Sequence, residues 1–217
     1  MVPSSLYNLS SMSILGFEIT QLSGTLPANI GLTLPNLKIF EIGGNKFFGP
    51  IPGSVCNASK LEFIDLGSNS LVGSIPTNLG YLLDLELLCL CLNNLGGDLD
   101  FVTSLRNYSK LKVLSIALKQ FKGVVPDSIG NSSTKLNQLY LGGNKISGTI
   151  PASLHNLINL ISLAWKIIFS QVWYLLILGS SKRRKDCFYQ ETNCQGKSQA
   201  LLATSLNWLN WTFLKTI

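Results

Sequence analysis

The chain has 217 residues, 46% hydrophobic and 13% charged, a balance that excludes an intrinsically disordered polypeptide and allows a packed core. Its formal net charge of +6 is unevenly placed: residues 1–163 hold ten Lys or Arg against nine Asp or Glu, and residues 164–217 hold seven against two. The larger part is close to neutral and carries no basic stripe, so a nucleic-acid function has nothing to rest on.

Val2 and Pro3 match the close of a repeat. The sequence therefore predicts a chain that opens inside a repeating array, with neither a signal peptide nor a polar capping repeat. From there the frame LxxLxxLxLxxNxLxGxIP recurs. Its first copy places Leu9, Met12, Leu15, Phe17 and Leu22 before Gly24 to Pro27. The second reads Leu34, Leu37, Phe40, Ile42, Asn45, Phe47, Gly49, Ile51, Pro52. The third and clearest reads Leu61, Ile64, Leu66, Asn69, Leu71, Gly73, Ile75, Pro76. A fourth has Leu82, Leu85, Leu88, Leu90, Asn93 and Leu95 before Gly97, where an insertion up to Leu105 replaces the GxIP half. Two more run from Leu111 to Pro126 and from Leu136 to Pro151, and a seventh opens with Leu154, Leu157, Leu160 and Leu163. Asn45, Asn69 and Asn93 are 24 residues apart, and self-similarity at that period marks a solenoid. Residues 1–163 are thus expected to form six near-complete repeats and the start of a seventh, uncapped, with 164–217 a non-repeat tail.

Each LxL pair has the period of two that a strand needs, so two apolar side chains enter the core while their neighbours face solvent. Stacked strands make one parallel sheet. The asparagine ladder, Asn45, Asn69, Asn93 and Asn144, is expected to turn the chain inward and to bond otherwise unpaired backbone groups. Thr20 and Lys119 hold that position in two copies, where local weakness is expected. The LxGxIP half, with a Gly for close approach and a Pro that ends any ladder, predicts short helical or irregular turns on the outer side. The fold class is therefore α/β: a solenoid with a parallel concave sheet and a convex side of short turns.

Such a solenoid displays one variable residue per coil. The central column reads Gly16, Glu41, Asp65, Cys89, Ser115 and Tyr140, and the next Glu18, Gly43, Gly67, Cys91, Ala117 and Gly142. Small residues in the second column leave room for a partner, Glu41 beside Asp65 makes an acidic patch, and Tyr140 is a candidate anchor. The five cysteines give no disulfide framework; Cys89 and Cys91 flank the core residue Leu90 and are predicted to be neighbours on the exposed strand face, and Cys56 stands alone. No CxxC or His cluster implies a metal, no cofactor motif is present, and His155, the single histidine, reads as an outer-turn residue. Four sequons, at Asn8, Asn57, Asn107 and Asn131, share nearly one phase, which predicts glycans on one outer face and a secretory history. A fifth, at Asn210, falls in the tail.

Residues 160–179 are mostly apolar, and SKRRK follows at 181–185, the pattern of a membrane helix with a stop-transfer signal. Back-translation gives a different account. Joining the last base of each codon to the first two of the next forces Glu at Trp165/Lys166 and permits NLFTGMVP after it, with Asn at Ile167/Ile168, 24 residues after Asn144. The same rule from Asp186 to Gln199 permits LFLPGNKLSGKIP with its Asn 24 residues further on, and forces Leu at Asn210/Trp211. The tail from about residue 165 is thus expected to be out-of-frame translation of further repeats.

The GxIP endings, together with runs such as LPNLKIFEIGGNKFFGPIP and LYLGGNKISGTIP, resemble the plant-type leucine-rich repeat of receptor-like kinase ectodomains and of secreted polygalacturonase inhibitors. The resemblance covers roughly residues 1–163 and implies a ligand-recognition fragment of a cell-surface receptor-like serine/threonine kinase of the pathogen-sensing or developmental type. It implies a peptide, a glycan or a co-receptor ectodomain as partner, and a place on the extracellular side of the plasma membrane, reached through the parent receptor. The chain itself contains no GxGxxG with a VAIK-like lysine, no HRD and no DFG, so no catalytic residue is assigned. Two alternatives stay open: a single-pass receptor-like protein using 160–179 as its membrane helix, and a secreted inhibitor of cell-wall hydrolases, although the terminal cysteine pairs expected of the latter are missing.

Overall fold

The computed structural model describes residues 1–117 and 120–165 together with the backbone of a strand at 174–177. Each repeat makes one turn of a coil: a strand, a turn, a second strand and a short helical return. The first strands are Ile14–Gly16 (β1), Ile39–Glu41 (β3), Phe63–Asp65 (β5), Leu87–Cys89 (β7), Val113–Ser115 (β9), Gln138–Tyr140 (β11) and Ser162–Trp165 (β13). They stack in that order into one parallel sheet, closed at its far edge by Tyr174–Ile177 (β14), which pairs antiparallel to β13. Register is one coil per step, with Phe40 beside Ile64, Ile64 beside Leu88 and Leu88 beside Leu114. Those middle residues point inward, and with Ile42, Leu66, Leu90 and Ile116 they form the dry interior. Beyond the assigned strands the ladder continues, through Leu66 N–H to the Cys89 carbonyl at 2.9 Å and Leu90 N–H to the Ser115 carbonyl at 2.8 Å.

The LxG half departs from expectation. It forms a second parallel sheet rather than irregular chain: Ser23–Thr25 (β2), Lys46–Pro50 (β4), Ser70–Gly73 (β6), Asn94–Gly97 (β8), Gln120–Val124 (β10) and Lys145–Ser147 (β12), six strands among the described residues. The buried residues Phe47, Leu71, Leu95, Phe121 and Ile146 tie this lateral sheet to the same core. Proline does stop the ladder, and it starts the return. Pro3, Pro52, Pro76, Pro126 and Pro151 each precede a 3-10 turn, and each carbonyl accepts from the N–H three residues on, as in Val55 to Pro52 at 3.1 Å. Where Leu99 replaces that proline the turn lengthens to Asp100–Asn107, burying Phe101, Val102 and Leu105, and the Phe101 ring lies 5.9 Å from that of Phe121.

The coil-to-coil junctions are polar. Asn69 donates from Nδ2 to the carbonyls of Ile42, Leu66 and Gly67 at 2.9, 3.2 and 3.1 Å, while its Oδ1 accepts the Phe47 N–H at 2.9 Å. Asn93 repeats this one coil later, toward Leu66, Leu90, Cys91 and the Leu71 N–H. Asn45 bonds the Phe17, Ile42 and Gly43 carbonyls and accepts from the Leu22 N–H at 2.9 Å. Asn144 takes the Ile116 and Leu141 carbonyls at 2.9 and 2.8 Å. Thr20 joins the ladder by donating its hydroxyl to Asn45 Oδ1 at 3.0 Å and to the Phe17 carbonyl at 3.1 Å. Lys119 lies outside the described residues.

One alternative that the sequence left open is corrected. Of residues 160–179, Ser162–Trp165 and Tyr174–Ile177 are strands, and Leu160, Leu163 and Trp165 sit in the solenoid core, so the segment is not one continuous helix. Among the described residues no helix is long and apolar enough to cross a membrane. Ala164 and Trp165 continue the repeat, Ala164 in register with Tyr140; the rest of the proposed out-of-frame tail, Asn210 included, lies outside the described residues apart from β14.

Candidate functional site

The concave sheet carries its solvent-facing side chains in columns, because equivalent residues of successive coils are direct register partners. Ile39, Phe40 and Glu41 alternate half-buried, buried and half-buried, so Ile39 and Glu41 share the concave face. The central column places Glu41 beside Asp65 and Asp65 beside Cys89. Like charges opposite one another on adjacent strands repel. Burial, then the negative charges of Glu18 and Asp65, hold the Glu41 carboxyl above the usual carboxylate range. Asp65 is oriented by the Gly67 N–H, which donates to its Oδ1 at 2.8 Å.

Cys89 and Cys91 do face the same way, with Sγ atoms 3.2 Å apart, but they are not on an exposed surface: each is 9% accessible. The Cys91 thiol and burial push the Cys89 thiol far above its ordinary range, and desolvation pushes Cys56 up to about 11. Ser115 is likewise buried, at 8%. Of the five central-column candidates, Glu41, Asp65 and Tyr140 are half-exposed, whereas Cys89 and Ser115 form a shallow floor between Asp65 and Tyr140.

The structure adds a third concave column to the two expected from the sequence. Ile14, Ile39, Phe63, Leu87 and Val113 are register partners on the same face as Glu41, an apolar stripe running across five coils. Period-two alternation already contains it, since each residue lies two before the central column. On the stripe's outer border the charges are paired across coils, Lys38 with Glu62 at 3.2 Å and Lys112 with Glu86 at 2.7 Å.

The four sequon asparagines Asn8, Asn57, Asn107 and Asn131 each end a 3-10 turn and are all exposed, on the convex side. His155 sits on the same side, its Nδ1 2.6 Å from the Ala152 carbonyl of its own turn. Among the described residues no three His, Cys, Asp or Glu side chains are arranged to hold a metal ion.

Known proteins share this architecture. The leucine-rich repeat family model matches residues 60–82 and 135–157. The LRR receptor-like serine/threonine-protein kinase EFR of Arabidopsis thaliana is 41% identical over 68 residues, 31% of this chain and 7% of that protein. The chain therefore matches only a small part of that relative's length. Among solved structures, the Arabidopsis receptor kinase HAESA ectodomain, in complex with a peptide hormone ligand, is 33% identical with a TM-score of 0.67, covering 74% of this chain and 27% of that one. The ectodomain of the Arabidopsis thaliana receptor kinase SOBIR1 is 31% identical with a TM-score of 0.56, covering 63% of this chain and 72% of that one.

Proposed function

The chain belongs to the leucine-rich repeat family, in the form built by plant receptor-kinase ectodomains, and from that premise we propose that it recognises an extracellular ligand on its concave sheet and is itself non-catalytic. One observation carries the reading: the half-exposed concave columns hold apolar side chains and carboxylates that take part in none of the ion pairs among the described residues, whereas the convex side holds the four candidate glycan sites. Glycans at Asn8, Asn57, Asn107 and Asn131 would leave the concave face open and place the protein in the secretory route, on the outer side of the plasma membrane. The partner is a peptide, as in the HAESA complex, ahead of a glycan or a co-receptor ectodomain. Phosphorylation belongs to kinase segments of the longer relatives and is not assigned to these residues.

The test is to pan the full chain against a random peptide display library and to remeasure retained clones against Asp65→Ala and Tyr140→Ala. Loss of binding in these variants, with an unchanged circular-dichroism spectrum, supports the concave site. Clones indifferent to both, and blocked instead by substitutions at the 3-10 turns, would overturn it.

A further inference from the structure

We propose that the occupant of the concave sheet is an extended peptide with alternating apolar side chains and a cationic group beside them, lying across the coils with the apolar side chains on Ile14, Ile39, Phe63, Leu87 and Val113 and the cation at Glu41 and Asp65. This inference rests on the concave-face reading above. Its first support is the stripe itself. Five consecutive coils present an aliphatic or aromatic side chain to the open side of a sheet, and contiguous apolar surface of that kind marks an interaction site.

The second support is where charge is and is not balanced. Lys38–Glu62 and Lys112–Glu86 neutralise the stripe's outer border. On its inner border Glu41 and Asp65 stand side by side, with Glu18 near, and none of the three takes part in the three ion pairs of the described residues. Uncompensated negative charge therefore lies on one flank only, and a cation there relieves a repulsion built into the register.

The third support is access. A Cβ at Gly43 would sit 3.3 Å from Asp65 Oδ1, and one at Gly67 would sit 3.0 Å from it. Because both neighbours are glycine, no side chain from either lies over the carboxylate, and Asp65 stays half-exposed. Spacing fixes the length: neighbouring strands are about 4.8 Å apart, so the stripe runs about 19 Å, the reach of about six extended residues with three side chains turned down. An anionic ligand, by contrast, would meet the carboxylates.

The experiment uses the clones retained on the full chain and the synthetic peptide Lys-Ser-Val-Ser-Leu-Ser-Val, with two controls in which Lys becomes Glu or the three apolar residues become Ser. Retained clones are expected to be cationic with apolar residues at alternate positions. Each control peptide, and each of the variants Phe63→Ser, Val113→Ser and Asp65→Asn, is expected to weaken binding about tenfold. Clones that still need Asp65 or Tyr140 but are acidic, or lack apolar alternation, overturn this inference and leave the concave-face reading standing. Clones insensitive to every concave substitution overturn both. Val113→Ser, at the stripe's end, keeps the test decisive if Phe63→Ser fails to fold.

Discussion

Asn93 Nδ2 donates to the carbonyl of Leu66, 27 residues earlier, at 2.8 Å, while Asn93 Oδ1 accepts the Leu71 N–H at 3.0 Å. One side chain thus closes its own turn and clamps the preceding coil. Replacing it with alanine leaves a backbone donor and carbonyls at the junction without partners, and unsatisfied buried groups cost about 1–3 kcal/mol each. Asn93→Ala is expected to lower stability by roughly 2–4 kcal/mol, seen as a lower urea midpoint. Asn93→Asp keeps the acceptor but turns an oxygen toward three carbonyls, so it should do no better. A wild-type midpoint for Asn93→Asp would show that the amide donor is dispensable.

Gly31 and Gly16 should respond in opposite ways to the same methyl group. A Cβ on Gly31 would fall 1.9 Å from the Ser54 carbonyl oxygen in the next coil, and on Gly130 2.2 Å from that of Ser153, whereas on Gly16 it meets nothing within 4 Å. The contact is with backbone, so the convex turns must separate. Gly31→Ala and Gly130→Ala are expected to cost roughly 3 kcal/mol, the upper part of the overpacking range, and Gly16→Ala close to nothing. Thermal melts of the three variants decide it, and a harmless Gly31→Ala would mean that the turns stack less closely than described.

Glu41 gives a pH dependence whose direction follows from its surroundings. Burial, Glu18 and Asp65 raise its folded-state pKa above the unfolded one, so the folded chain holds this proton to higher pH. Stability from this group is then greatest in acid, below the unfolded pKa, and falls as pH rises through the interval up to the folded value. Glu41→Gln should therefore raise the melting temperature at neutral pH, with the gain shrinking to nothing below the ordinary carboxylate range. A gain that persists unchanged into acid would assign the effect to packing instead.

The leucine frame made the concave sheet, its one-coil register and the convex turns legible in the sequence, because each depends on a spacing that recurs. What stayed hidden depends on the packing between coils. Lys46–Pro50 pairs with Ser70–Gly73 only because adjacent coils align, so the lateral sheet has no local signature beyond Gly and Pro, which argue against a strand. Alternation correctly put Cys89 and Cys91 on one side of the strand but could not show how far the neighbouring coils cover them. The Ile39 and Phe63 column is hard to tell from core in the sequence because the whole repeat is apolar, although the same alternation places these residues opposite Phe40 and Ile64.

The buried thiols supply the last test. Cys56, at 5% exposure, has its thiol pushed up to about 11 by desolvation, which leaves about one thiolate in a thousand at pH 8. Cys89 is raised further, by the Cys91 thiol 3.2 Å away and by burial, so it is a poor nucleophile while the concave sheet stays closed, and Cys91 beside it is just as buried. Since the thiolate is the reacting species, alkylation must wait for local opening. With iodoacetamide at pH 8 and site-resolved mass spectrometry, all three are expected to label far more slowly in the folded chain than in urea. Cys56 should depend on opening of the convex turns, and Cys89 and Cys91 on loosening of the sheet, so Gly31→Ala should accelerate Cys56 selectively. Labelling of Cys89 at the rate of an unfolded thiol would mean that the floor of the concave face is open to solvent, and the shallow surface described between Asp65 and Tyr140 would have to be redrawn.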